Sequence, residues 1–181
     1  MSDLFDTPPL PGLATRADLV TREEEQALIA AIDGAGLTPF QFHGWEGKRL
    51  TTVFGSKDDA AKGARPIPDW LLPLRARLAE WGGLAPSQLV QALLIRYDPG
   101  AGIGWHRDNA GFDQVFGLSL GAAADMRFRR RRESGGFMRV TVPLEPRGAY
   151  HMTGQSRYDW EHSITEMDRT RWSITFRTPA P

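Results

Sequence analysis

Arg171-Trp172-Ser173-Ile174-Thr175-Phe176-Arg177 alternates between two chemistries. On an extended chain successive side chains point to opposite faces, so Arg171, Ser173, Thr175 and Arg177 share one face and Trp172, Ile174 and Phe176 the other. An amphipathic edge strand with its polar side in water accounts for the alternation. It gives no reason for two guanidiniums to bracket two hydroxyls. A dicarboxylate ligand does, because each guanidinium can fork a carboxylate and the hydroxyls can add hydrogen bonds.

Working back from this strand, five more short runs are rich in β-branched and aromatic residues and divided by Gly/Pro turns. They are QALLIRY (91–97), QVFGLSL (114–120), DMRFRRR (125–131), FMRVTVPL (137–144) and AYHMTG (149–154). Before them the pattern is helical. Thr21 and Glu24 form a capping-box pair ahead of an apolar stripe of Ala27, Leu28, Ala31 and Ile32, and Gly34 ends the run. Residues 69–81 place Leu71, Leu74, Leu78 and Trp81 at helical spacing, with Pro73 in the first turn where its missing N–H costs least. Two helices followed by at least six strands predict a mainly β domain (α+β): a sandwich or jelly roll with the helices packed on one side. Residues 1–12 are proline-rich with little to bury and read as a flexible leader or an extended strap; 13–181 read as one domain.

The 22 basic residues balance 22 acidic ones, so any polyanion has to be held by a local basic patch rather than by the field of the whole molecule. With no cysteine there is no disulfide framework, thiolate zinc site, iron–sulfur cluster or Cys nucleophile; metal chemistry has to use His, Asp and Glu. No apolar run approaches the roughly 20 residues of a membrane span, and a cytoplasmic, monomeric protein is the expectation. Only Lys48, Lys57 and Lys62 among the basic residues are lysines, which fits either a GC-rich genome or a use for bidentate guanidiniums.

Trp105-His106-Arg107-Asp108 puts an imidazole and a carboxylate two residues apart, on one face if the chain is extended there. Such a pair supplies two of the three ligands of the 2-His-1-carboxylate triad of non-haem Fe(II) oxygenases; alone, it also fits a solvated pair near a turn. Three segments together carry a resemblance. R-x-S-x-T-x-R at 171–177 resembles the C-terminal R-x-N-x-T-x-R signature of the AlkB-like dioxygenases. IRYDPGAGIGWHRD (95–108) is similar to that family's strand leading into its His-x-Asp, and SRYDWEHSI (156–164) resembles the segment bearing its distal histidine. They occur in the family's order and span nearly half of the chain.

The resemblance implies a double-stranded β-helix and an Fe(II)- and 2-oxoglutarate-dependent dioxygenase that uses O2. It implies that His106, Asp108 and His162 bind Fe(II), that Arg171 with Tyr97 clamps the distal carboxylate of 2-oxoglutarate, that Ser173 supports it, and that Arg177 lies near the 2-oxo acid end. Ile95 stands where the family often has asparagine. Of the other histidines, His43 is upstream in the aromatic loop, and His151 lies on a strand between Tyr150 and Met152 and reads as a packed or a surface strand residue. The implied reaction is oxidative dealkylation of alkylated DNA or RNA bases, releasing succinate, CO2 and formaldehyde. The same chemistry on a protein or small molecule, and a non-catalytic jelly-roll binding module, are the rival readings.

For the substrate, 40–60 is read as a lid in which His43, Trp45, Arg49 and Phe54 offer aromatic faces and cations to an extruded base. Asn109 is close enough to the triad in sequence to join them. The arginine run at 127–132 is either a solvated hairpin or a ridge that follows a phosphate backbone.

Overall fold

A computed structural model describes residues 10–56 and 64–181. Two antiparallel sheets face each other across an apolar layer. The larger has the order β1 (Leu13–Arg16), β9 (Ala149–Met152), β6 (Phe112–Gly121), β11 (Arg171–Pro179), β4 (Gln91–Tyr97), β3 (Trp45–Gly55) and β2 (Thr38–Phe42). The smaller has β5 (Ile103–His106), β10 (Glu161–Ile164), β7 (Ala124–Arg131) and β8 (Phe137–Leu144).

β11 is central, not an edge strand. Ser173 is paired with Ile95 of β4 on one side and with Ser119 of β6 on the other. Its apolar face, with Ile174 and Phe176 fully buried, packs with Leu94, Phe116 and Leu118 beneath helices α1 (Arg22–Asp33) and α2 (Leu72–Trp81). Each such side chain contributes roughly 1.5–3 kcal/mol by leaving water. Its polar face therefore has only one place to go, the space between the sheets. There a second core of Val115, Met126, Phe128, Met152 and Ile164 surrounds it.

The capping box at Thr21 and Glu24 is present, with the Glu24 N–H donating to Thr21 Oγ1 at 3.1 Å and the Thr21 N–H to Glu24 Oε2 at 2.7 Å. The inward stripe of α1 is shifted from the expected one. Ala27 is exposed, whereas Leu28, Ile29 and Ile32 pack inward beside a buried Glu25. That carboxylate accepts from the Gly121 N–H at 2.9 Å and from Arg147 at 3.3 Å, so it ties the helix to the large sheet. α2 begins after one 3-10 turn, with Pro73 as its second residue.

Four-residue strands β1, β5 and β10 are too short to display an alternation and do not stand out in the sequence. Leu10 is buried and the Gly12 carbonyl accepts from the Thr153 N–H at 2.8 Å, so 10–12 lie packed on the domain; the rest of the expected leader, 1–9, lies outside the described residues. Residues 38–55 form a hairpin whose turn, His43 (φ 46°) and Gly44 (φ 83°), has both central residues left-handed, the geometry that suits strand twist. The last part of the expected lid, 57–60, lies outside the described residues. Among the described residues no helix is long and apolar enough to cross a membrane.

His151 stacks on Phe116 (ring centroids 3.8 Å apart) with its Nε2 2.8 Å from Gln114 Oε1, and burial pushes its pKa down to about 4. Its folded value lies below the ordinary one near 6.5, so between those values the unfolded chain binds the proton and the folded chain does not. Stability is fully present above about pH 6.5 and falls as the pH drops towards 4, by about 1 kcal/mol for this half-buried ring after allowance for solvent screening. Thermal melts of His151→Leu are expected to show a flatter pH dependence than wild type across that window.

Candidate active site

His106 closes β5, and its partner across the small sheet is His162 of β10. The two rings lie 4.2 Å apart, centroid to centroid. His106 Nδ1 is 2.8 Å from the Gly104 carbonyl; a proton donated there leaves Nε2 with a lone pair facing the site. Asp108 comes two residues after β5 has ended, so strand parity does not place it. Arg177 does: Nη2 donates to Asp108 Oδ1 at 3.1 Å while Nη1 donates to Gln91 Oε1 at 3.0 Å. One ligand atom from each of His106, Asp108 and His162 then falls within 4.8 Å of the others.

The electrostatics suit a divalent cation. Burial raises the Asp108 carboxyl, but Arg177 first, then His162 and His106, outweigh it and hold the group below the usual carboxylate range. Burial, followed by repulsion from His106, pushes the His162 imidazole down to about 4. An ionised carboxylate with a neutral imidazole beside it is a competent donor set for Fe(II), Mn(II) or a similar ion.

A cavity of about 830 Å³ runs from these three residues along the polar face of β11. Ser173 and Thr175 are buried in its wall, and Arg171, 1% exposed, stands at its other end. Arg171 Nε donates to Ser119 Oγ at 2.9 Å, and its guanidinium carbon is 5.2 Å from the centre of the Tyr97 ring. Its Nη1 is buried with no hydrogen-bond partner among the described residues. A buried cation with an unused donor is costly, and a ligand carboxylate would relieve it. The residues therefore fit a metal at one end and a dicarboxylate reaching from it to Arg171.

Tyr97, Ser173, Arg177, Arg49 and Asn109, all singled out in the sequence, line the cavity, and so does Ile95. Phe54 does not. It is opposite in parity to the cavity-lining Arg49, Thr51 and Val53 of β3, and is buried in the helix-side core with Arg65 over its ring at 4.2 Å. His43 sits in the hairpin turn and Trp45, 80% exposed, next to it, both away from the cavity wall. His151 faces Phe116 and Trp81 on the helix side of the sheet, far from the triad in facing.

Other residues escaped the sequence reading. Buried Arg157 donates to the Asn109 and Phe112 carbonyls at 2.8 and 2.6 Å and so pins the loop that follows Asp108. Tyr150 and Gln91 reach the cavity from β9 and β4. The arginine run is partly engaged. Arg127 and Arg129 lie over the Trp105 ring at 5.0 and 4.5 Å, Arg127 donates to Ser163 Oγ, and Arg129 pairs with Glu161 at 2.7 Å.

This geometry gives a direct test in metal binding. His162→Ala is expected to weaken Mn(II) or Fe(II) binding at least tenfold by calorimetric titration, and His151→Ala to leave it within twofold of wild type.

Residues 37–177 match the family model of the 2OG-Fe(II) oxygenase superfamily. An Arabidopsis thaliana protein named "Alkylated DNA repair protein ALKBH8 homolog" is 29% identical over 86% of this chain and 51% of its own length. A Xenopus tropicalis "tRNA (carboxymethyluridine(34)-5-O)-methyltransferase alkbh8" is 31% identical over 86% of this chain and 25% of its own length. The chain thus spans about half of the first relative and a quarter of the second. Among solved structures, OsALKBH1 superposes with a TM-score of 0.71 at 16% identity over 93% of this chain and 99% of that one. A Pseudomonas putida prolyl-4-hydroxylase gives 0.60 at 16% identity over 94% of each. Both share the jelly-roll fold. The chain is similar to AlkB-like proteins in sequence and fold, and it belongs to the 2OG-Fe(II) oxygenase superfamily, whose cofactors are Fe(II), 2-oxoglutarate and O2.

Proposed function

We propose that His106, Asp108 and His162 hold Fe(II), that Arg171, Tyr97, Ser173 and Arg177 hold 2-oxoglutarate, and that the enzyme oxidatively removes small N-alkyl groups from nucleic-acid bases. The observation that carries the site assignment is the unused, buried Nη1 of Arg171 at the far end of a cavity that starts at the triad. When bound, iron with 2-oxoglutarate and O2 supplies an oxidant able to break a C–H bond, as 2-oxoglutarate loses CO2 and becomes succinate.

The chain's own residues orient and shield. Arg177 keeps Asp108 aimed and ionised, and the Gly104 carbonyl sets the His106 tautomer. The packed apolar side chains around the cavity hold its polar groups in place. Arg49, lying over Phe40 at 3.8 Å with its buried Nε unpartnered among the described residues, presents a cation and a ring to whatever lies over the cavity. Oxygen inserted into an N–CH3 group gives a hemiaminal, whose N–C bond breaks to release formaldehyde and restore the N–H.

Support for a nucleic-acid substrate comes from the named relatives and from local surface chemistry. Trp45, 80% exposed beside the hairpin turn, is an aromatic free to stack on a base outside the cavity. Arg131, Arg132 and Arg139 are exposed around the end of the β7–β8 hairpin and offer the local basic patch that a neutral protein needs. A second reading is oxidation of a modified tRNA base without loss of carbon; the printed name of the Xenopus relative supports only the tRNA part of it, because it names a tRNA methyltransferase.

The test is incubation with methylated DNA and RNA oligonucleotides and with bulk tRNA. Dealkylation predicts formaldehyde and succinate in equal amounts. An added oxygen by mass with no formaldehyde overturns dealkylation in favour of the tRNA reading. Succinate formation that no nucleic acid stimulates overturns both.

A further inference from the structure

The polar face of β11 is walled unequally. On the β4 side, Leu93 stands opposite Thr175 and Ile95 opposite Ser173, so between Gln91 and Tyr97 that strand offers the cavity no hydrogen-bond donor. On the other side, Gly117 of β6 stands opposite Thr175, and Tyr150 of β9 stands opposite Gly117. The Tyr150 ring lies directly over that glycine. A Cβ at position 117 would overlap Cε1, Cζ and Oη of the tyrosine. The missing side chain lets the phenol cross the width of β6 and brings its hydroxyl towards the Thr175 side chain. Tyr150 is buried and lines the cavity, with Asp108, Arg171 and Tyr97 all close enough to act on its charge.

We infer that Tyr150 is a cosubstrate-binding residue: its hydroxyl, delivered across Gly117 between the triad and Arg171, donates a hydrogen bond to a carboxylate of 2-oxoglutarate and supplies the donor that the Leu93–Ile95 wall lacks. The placement is chemically apt. Burial, and then the nearby Asp108 carboxylate, push the phenol up to about 12, so it is a neutral donor at working pH. Arg171 Nη1 and the Tyr150 hydroxyl then meet one anion from two sides, a cation and a neutral donor, while Thr175 orients the phenol. Phenylalanine at 150 would pack on Gly117 as well as tyrosine does, so packing alone does not call for the hydroxyl.

The inference rests on the assignment of Arg171 to the cosubstrate, and the test separates the two. The full chain is loaded with Mn(II) and titrated calorimetrically with 2-oxoglutarate as wild type, Tyr150→Phe and Arg171→Met, with Mn(II) affinity and melting temperature measured for each. The expected result is a rise of about tenfold in the 2-oxoglutarate Kd for Tyr150→Phe, with Mn(II) affinity and melting temperature unchanged, and a larger rise for Arg171→Met. Under turnover the same variant is expected to raise KM for 2-oxoglutarate while kcat stays within about twofold. If Tyr150→Phe binds 2-oxoglutarate within twofold of wild type while Arg171→Met does not bind it, the role of Tyr150 is overturned and the site assignment stands. If Arg171→Met binds as wild type does, the cosubstrate assignment fails and the role of Tyr150 fails with it.

Discussion

Two guanidiniums buried on one face of a central strand are the constraint on which the rest of this structure depends. Charge removed from water is costly unless it is paired and hydrogen-bonded. Arg177 uses both terminal nitrogens, one on Asp108 and one on Gln91, and so fixes the carboxylate that faces His106 and His162, while its Nε has no partner among the described residues. Among the described residues Arg171 donates to Ser119 and lies over the Tyr97 ring, which leaves its Nη1 without a partner. What sets Arg171 apart is that its unpartnered nitrogen is a terminal one, on a 1% exposed residue that lines the cavity, where an anionic ligand can complete the pairing.

The two-faced sheet makes that arrangement stable. The helix side of β11 carries Ile174 and Phe176 into a continuous apolar core, and the capped, Glu25-anchored α1 holds the helical layer against it. The small sheet faces the other side, where β5 and β10 place His106 and His162 in register. The two histidines and Arg171 therefore belong to different sheets, and the apolar side chains packed around the cavity set their separation. Interior packing is dense and resists compression, so this separation does not depend on flexible loops.

Much of this was readable from residue order. The β11 alternation gave the two faces, and the three motif segments gave the triad and the paired arginines. What alternation could not say is that β11 lies in the middle of the sheet; pairing partners are set by long-range packing, which leaves no local periodicity. Asp108 was linked to His106 by strand parity, although the strand stops at His106 and Arg177 does the positioning. Phe54 was drawn into the lid because it is aromatic and near Arg49, yet parity with Arg49, Thr51 and Val53 already put it on the opposite face. Tyr150 escaped because its importance lies in Gly117, a residue on another strand that is remarkable only for the side chain it lacks.

The most direct test of the central claim is an anaerobic titration of the purified chain with Fe(II) and 2-oxoglutarate, followed by visible absorption. A bidentate chelate at the triad gives a weak charge-transfer band. Wild type is expected to show that band, His106→Ala to lose it, and Arg171→Ala to lose it at the same ligand concentration. No band in wild type with metal loading verified, or a band indifferent to Arg171, would contradict that claim.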